Sequence, residues 1–249
     1  MALVVYNAKS PIVEELKRGP ERTFRLGERM LRLKQKWLPG GDGGTLLGHG
    51  ASVYDAAFVL ADYLHRNQTK LRLRGQRCVE LGTGPGLGAI AAGLLGCAEV
   101  VATDGDAELL ALTAENMDLN LGGDERPRCT CAKLLWGNQA AAAALRPPFD
   151  LVLAADCAAV VYESAFEDLV ASLVDLSGDA TVVLLSYHRR HYTEDTFFEL
   201  LAAHFTTTRV PDDDVHPDFR HSDISVFELR RKPRPLPPAD APDVAATAE

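Results

Sequence analysis

The sequence predicts an α/β protein built on a doubly wound, mostly parallel seven-stranded sheet, with an antiparallel final strand and an N-terminal β-hairpin. Three observations carry this. Short apolar runs alternate with segments of helical period, the spacing of βαβ units. One run, 149–155, is continuously apolar, as a central strand buried on both faces should be. Another, 77–81, ends in a cluster of glycines, the usual way a strand feeds a ligand-binding turn.

The elements follow in order. Residues 23–26 and 30–34 alternate apolar and polar around Gly27 and Glu28, which reads as a hairpin. Residues 39–44 (PGGDGG) form a loop. Residues 52–65 set Val53, Ala56, Ala57, Leu60 and Leu64 on one helical face. Five strands are then expected at 77–81, 99–103, 128–134, 149–155 and 180–187. The helices among them are expected at 87–95, 107–121, 164–176 and 193–204. Strands at 205–210 and 224–230 have no helix between them and should pair antiparallel. A Pro/Ala/Asp-rich tail from 233 to 249 reads as disordered. The organisation is therefore an N-terminal extension (1–50), one α/β domain (51–232) and the tail.

The chain has 249 residues, 47% hydrophobic, enough for one sizeable core. A net charge of −9 lowers the case for nucleic acid and suits a basic protein partner. Five cysteines, an odd number, fit a reducing compartment. Cys129 and Cys131 lack a second pair at zinc spacing, so no metal is expected. Residues 1–6 have no basic n-region, and no stretch approaches the length of a membrane span. The expected location is cytoplasmic, with the nucleus as a second compartment.

The glycine loop narrows the chemistry. A dinucleotide fingerprint counted from Gly82 needs a glycine at 87, where Leu87 stands. Here the glycines fall at 82, 84 and 86, Glu80 precedes them, and Pro85 removes a backbone donor. A pyrophosphate cradle needs donors and disfavours a carboxylate. The loop suits a ligand with a cationic amine end. Asp104, about twenty residues on, is placed to accept hydrogen bonds from ribose hydroxyls, or else to cap the following helix. These features point to S-adenosylmethionine.

Several segments together resemble the methyltransferase-like family of non-histone protein-lysine methyltransferases, whose domain is Rossmann-like. They are residues 1–6 (MALVVY), 31–37 (LRLKQKW), 50–57 (GASVYDAA), 79–84 (VELGTG), 134–137 (LLWG), 149–156 (FDLVLAAD) and 223–227 (DISVF). The likeness spans roughly 1–232, and the opening hexapeptide is nearest the branch that modifies heat-shock chaperones. It implies transfer of a methyl group to a lysine of such a chaperone or of an AAA ATPase. It implies that Tyr54, where the family has tryptophan, lies near the methyl donor. Gly82, Thr83 and Gly84 cradle the donor's amino-acid end, Asp104 takes the ribose, Trp136 packs beside the adenine and Ala155 lines the floor.

One segment departs from the family. An aromatic is expected three residues after Asp156, where Ala159 stands. The chain reads as if two residues, Ala158 and Ala159, were inserted, which aligns the expected aromatic with Val161, and its neighbour Tyr162 is expected to substitute through a local bulge. Asp156 and Tyr162 are thus the expected catalytic pair, Asp156 orienting the amine and Tyr162 forming a ring wall. A free lysine has a pKa of about 10.4, so its neutral form costs roughly 4–5 kcal/mol at pH 7. An apolar pocket and a nearby sulfonium both lower that cost. Other readings are a small-molecule or RNA methyltransferase, an impaired cofactor-binding module, and, more remotely, a dehydrogenase. The run 188–191 (HRRH) reads as a solvated rim loop or a contact for an acidic surface. Residues 212–214 (DDD) read as a solvated loop or a reader of basic residues near the target lysine.

Overall fold

A computed structural model describes residues 19–36 and 48–233. The opening hexapeptide, the 39–44 loop and all of the tail after Pro233 lie outside them. A hairpin comes first, β1 (Glu21–Leu26) and β2 (Arg29–Lys34), antiparallel about Gly27. Then come α1 (Asp55–Arg66), β3 (Arg77–Leu81), α2 (Leu87–Leu94), β4 (Glu99–Asp104) and α3 (Ala107–Asn120). They are followed by β5 (Cys129–Lys133), α4 (Gln139–Ala144), β6 (Phe149–Ala155) and α5 (Phe166–Leu176). The chain closes with β7 (Ser177–His188), α6 (Asp195–Ala202), β8 (Phe205–Arg209) and β9 (Ile224–Arg231).

The seven-stranded sheet has the order β5-β4-β3-β6-β7-β9-β8. Pairs among β3 to β7 are parallel, and β9 runs antiparallel to both β7 and β8. The order reverses at β3, where β4 pairs on one side and β6 on the other. That switch point opens a crevice at the carboxyl ends of the strands.

Alternation along the strands makes two cores. Cys78, Val100, Ala102, Leu151 and Leu153 pack with α1, α2 and the hairpin residues Phe24, Leu31 and Leu33. Val79, Leu81, Val101, Val152 and Ala154 pack with α5, α6 and Ala142 of α4. The hairpin thus shares the buried core of the α/β domain. Helix α4 has no counterpart in the sequence reading, because a run of alanines carries no periodic contrast. It starts at Asn138, whose side chain accepts the Ala141 N–H at 3.0 Å.

Candidate active site

A cleft of about 610 Å³ lies over the switch point. Every residue expected in the catalytic or cofactor site borders it. Tyr54 stands at the entry to α1, Glu80 lies near the end of β3, and Gly82, Thr83 and Gly84 lie on the turn after it. Asp104 ends β4, and Trp136 follows β5. Ala155, Asp156 and Tyr162 lie at or just beyond the end of β6.

The turn after β3 is clasped from within. Glu80 is 2% exposed, and its Oε2 accepts the Thr83 hydroxyl at 2.6 Å and the Ala89 N–H at 2.8 Å. Burial pushes its pKa up to about 7, and the two hydrogen bonds oppose the rise. Thr83 and Thr103 tie the turn to β4. The Thr83 N–H donates to the Thr103 carbonyl at 2.9 Å, and the Thr103 hydroxyl to the Glu80 carbonyl at 2.7 Å. Gly82 and Gly84 both have positive φ, +60° and +51°. A Cβ on Gly82 would stand 2.9 Å from Cys157 Sγ and 3.2 Å from Trp136, and one on Gly84 would stand 2.7 Å from the Gly50 carbonyl oxygen. Side chains there would fill the cleft wall.

Asp104 does not cap α3. That role falls to Asp106, whose carboxylate accepts the Glu108 N–H at 2.7 Å. Asp104 instead accepts the Gly84 and Asp106 N–H groups, each at 3.2 Å, while burial raises its pKa. Tyr54 is positioned by the hairpin. The N–H of its neighbour Val53 donates to the Gln35 side chain at 2.7 Å, and the Val53 carbonyl accepts from Arg22 at 2.5 Å. The Tyr54 phenol is raised in pKa by burial and then by the charge of Asp156.

After β6 the chain turns sharply. Asp156 has φ of +61°, which aspartate tolerates better than most residues. Its N–H donates to the Ser186 carbonyl at 2.8 Å. A 3₁₀ segment, Val160–Ala165, then carries Tyr162, whose N–H donates to the Ala159 carbonyl at 2.8 Å. The Tyr162 ring meets Trp136 edge-on, 5.6 Å between centroids. Ala159 is buried against the same cleft. The segment read as two residues too long therefore delivers an aromatic to the cleft wall.

The basic run after β7 needs correction. Arg190 keeps about a third of its side chain (33%) in solvent, but its charge is held in an ion pair. Its guanidinium grips Asp156 through Nη1 to Oδ1 at 2.9 Å and Nη2 to Oδ2 at 2.6 Å. Arg190 lines the cleft, and sequence reasoning missed it because charge runs are usually solvated. Arg189 faces out and pairs with Asp195. The three aspartates at 212–214 pair with Arg209, Arg220 and Lys70, and none lines the cleft.

A family model described as lysine methyltransferase matches residues 40–204. The chain belongs to the lysine methyltransferase family. It is 35% identical over 221 residues to the protein N-lysine methyltransferase METTL21A of Mus musculus, covering 87% of this chain and 94% of that one. It is 34% identical to the EEF1A lysine methyltransferase 3 of the same organism, covering 79% and 78%. Among solved structures, a ribosomal protein L11 methylase from Lactobacillus delbrueckii subsp. bulgaricus aligns with a TM-score of 0.57 at 20% identity, over 84% of this chain and 98% of that one. That likeness speaks to the fold. This lysine methyltransferase is thus an S-adenosylmethionine-dependent enzyme acting on protein. Its cleft is lined by a glycine-rich turn, the half-buried carboxylate of Asp104 and the aromatic pair Trp136 and Tyr162.

Proposed function

We propose that this lysine methyltransferase modifies a non-histone protein such as a heat-shock chaperone or an AAA ATPase, with Asp156 and Tyr162 at the point of transfer. The observation that carries the site assignment is the convergence of these two residues with the glycine turn in one cleft. The match to METTL21A, named as a protein N-lysine methyltransferase, over nearly its whole length supports a protein lysine as the acceptor, and the resemblance of residues 1–6 to the chaperone-modifying branch supports the substrate class.

When bound, S-adenosylmethionine supplies an electrophilic methyl group on a sulfonium. In this reading Gly82, Thr83 and Gly84 hold its amino-acid end, with Glu80 keeping the turn closed beneath them. Asp104 accepts the ribose hydroxyls, Trp136 covers the adenine, Tyr54 flanks the donor and Ala155 forms the floor. Asp156 and the nearby strand-end carbonyls would orient the neutral lysine nitrogen toward the donor's methyl group. Tyr162 walls the lysine and can stack on the methylated ammonium. Orientation of this kind contributes several kcal/mol. Five unpaired cysteines support a reducing compartment, the cytoplasm with the nucleus second.

Labelled-methyl transfer into a cell lysate, with and without nuclease, tests the substrate. Label in a protein band near seventy kilodaltons, or in an AAA ATPase, is the expected result. Label in elongation factor 1A alone, or label lost to nuclease, would overturn it. For the site, Asp156→Ala should cut turnover at least a hundredfold while calorimetry shows little change in S-adenosylmethionine affinity. Equal loss of both would remove Asp156 from its assigned role.

A further inference from the structure

A carboxylate beside an amine creates a difficulty for methyl transfer. It stabilises the ammonium form, which has no lone pair to attack with. Asp156 does not stand alone, however. The planar fork of Arg190 matches both of its oxygens, and the His188 N–H adds a third hydrogen bond at 3.2 Å. The segment bearing Arg190 is itself anchored. The Arg190 and His191 N–H groups donate to Glu194 Oε2 at 2.9 and 3.0 Å, and the Tyr187 hydroxyl donates to the same oxygen. Glu194 is wholly buried. Arg190 Nη1 also donates to the His188 carbonyl at 2.9 Å. A charge held by its backbone, by its own loop and by its counter-ion, in a cleft shared with Tyr54 and Tyr162, is a fixed part of the site.

We infer that Arg190 is a positioning residue for methyl transfer: it cancels the charge of Asp156, so that the carboxylate can accept a hydrogen bond from the target lysine without holding that lysine protonated. This rests on the reading of Asp156 as the group facing the amine. With Asp156 neutralised, the sulfonium of the donor is the uncompensated charge nearby, and it favours the neutral amine.

Other titratable groups face this point from each surrounding element. Tyr54 and Asp55 come from the start of α1, and Asp55 pairs with Arg22 at 3.5 Å. Cys157 and Tyr162 follow β6, and burial raises the pKa of both, as it does for Tyr54. His188 ends β7, and its pKa is lowered by burial first and then by Arg190. Removing Arg190 relaxes His188 toward the ordinary value near 6.5, so it stays neutral above pH 7.5. Glu80, Asp104 and Asp106 lie on the cofactor side of the cleft.

The test is kcat and KM between pH 7.5 and 10, at saturating S-adenosylmethionine, with the acceptor protein isolated from the lysate assay. Arg190→Gln should lower kcat about tenfold at pH 7.5 and lower KM with it, because the protonated lysine now binds better. The loss should vanish toward pH 10 as the midpoint of the kcat profile, which reports the enzyme–substrate complex, rises by about one unit. Asp156→Asn combined with Arg190→Gln should return the midpoint to that of wild type. Arg190→Lys, which keeps the charge, should leave the midpoint in place, and it serves as the readout if Arg190→Gln does not fold. A loss equal at every pH, with KM unchanged, would overturn the inference. So would a faster Arg190→Gln enzyme, which would make Arg190 a barrier to entry, or a shifted midpoint in Arg190→Lys. Asp156→Asn with a wild-type profile would instead overturn the reading of Asp156 itself.

Discussion

At Glu80, burial and hydrogen bonding pull in opposite directions. The side chain sits under Gly88 with no room to withdraw: a Cβ on that glycine would stand 2.1 Å from Glu80 Oε1. Its pKa of about 7 lies above the ordinary value of 4.5. The folded protein therefore holds this proton more tightly than the unfolded chain does. The stability this adds is complete below pH 4.5 and is lost as pH rises through 7. A shift of this size corresponds to about 3 kcal/mol. Glu80→Gln should flatten that part of the stability curve, so urea midpoints of wild type and variant should diverge between pH 4.5 and 7 and run parallel above. Unchanged spacing across that window would show that Glu80 does not titrate there. The acid before the glycines was legible in the sequence as a cofactor-site residue. Its use as a clasp for Thr83 and Ala89 was not, because the hydrogen bonds depend on how the turn closes.

At the scale of elements, α3 is the joint between the hairpin and the cofactor turn. Asn116 accepts the Lys34 N–H at 2.8 Å and donates to the Lys34 carbonyl at 3.1 Å and the Pro85 carbonyl at 2.9 Å. Asn120, one turn on, repeats the exchange with the backbone of Arg32. Thr113, one turn back, donates to the Gly84 carbonyl at 2.5 Å. The asparagines thus pair with the outer edge of β2 as a neighbouring strand would, which protects an edge. Asn116 is wholly buried, so Asn116→Ala strands polar groups and should cost about 2–3 kcal/mol, whereas Asn120→Ala, at the exposed end, should cost about 1 kcal/mol or less. Chemical denaturation orders the two. S-adenosylmethionine affinity should fall in Asn116→Ala but not in Asn120→Ala, because of the two asparagines only Asn116 reaches the turn. Periodicity located α3 but gave no reason to expect its asparagines to hold a hairpin some eighty residues earlier in the chain.

For the molecule as a whole, the segment leading into α1, the glycine turn and the ends of β4 and β6 meet in one cleft, so a ligand there braces the fold through all of them. S-adenosylhomocysteine at a hundred times its Kd should add about 2.7 kcal/mol, which raises Tm by about 5–10 °C for a domain of this size. A thermal shift assay reads this directly, and a Gly82→Ala protein should show little shift. A full shift in Gly82→Ala would mean that the ligand binds elsewhere.

The sequence by itself determined the succession of strands and helices apart from α4, the hairpin and the glycine turn after β3. These rest on local periods and on glycines, and neighbouring residues suffice to specify them. It also put forward Tyr162 for the place of the aromatic missing at Ala159, and both residues line the cleft. Only the tertiary structure decided that β9 inserts between β7 and β8, that an alanine run is a helix, and that Arg190 turns inward to Asp156. Each of these depends on partners far along the chain. A charge run reads as solvated until the fold sets a buried glutamate under its backbone and a carboxylate before its guanidinium.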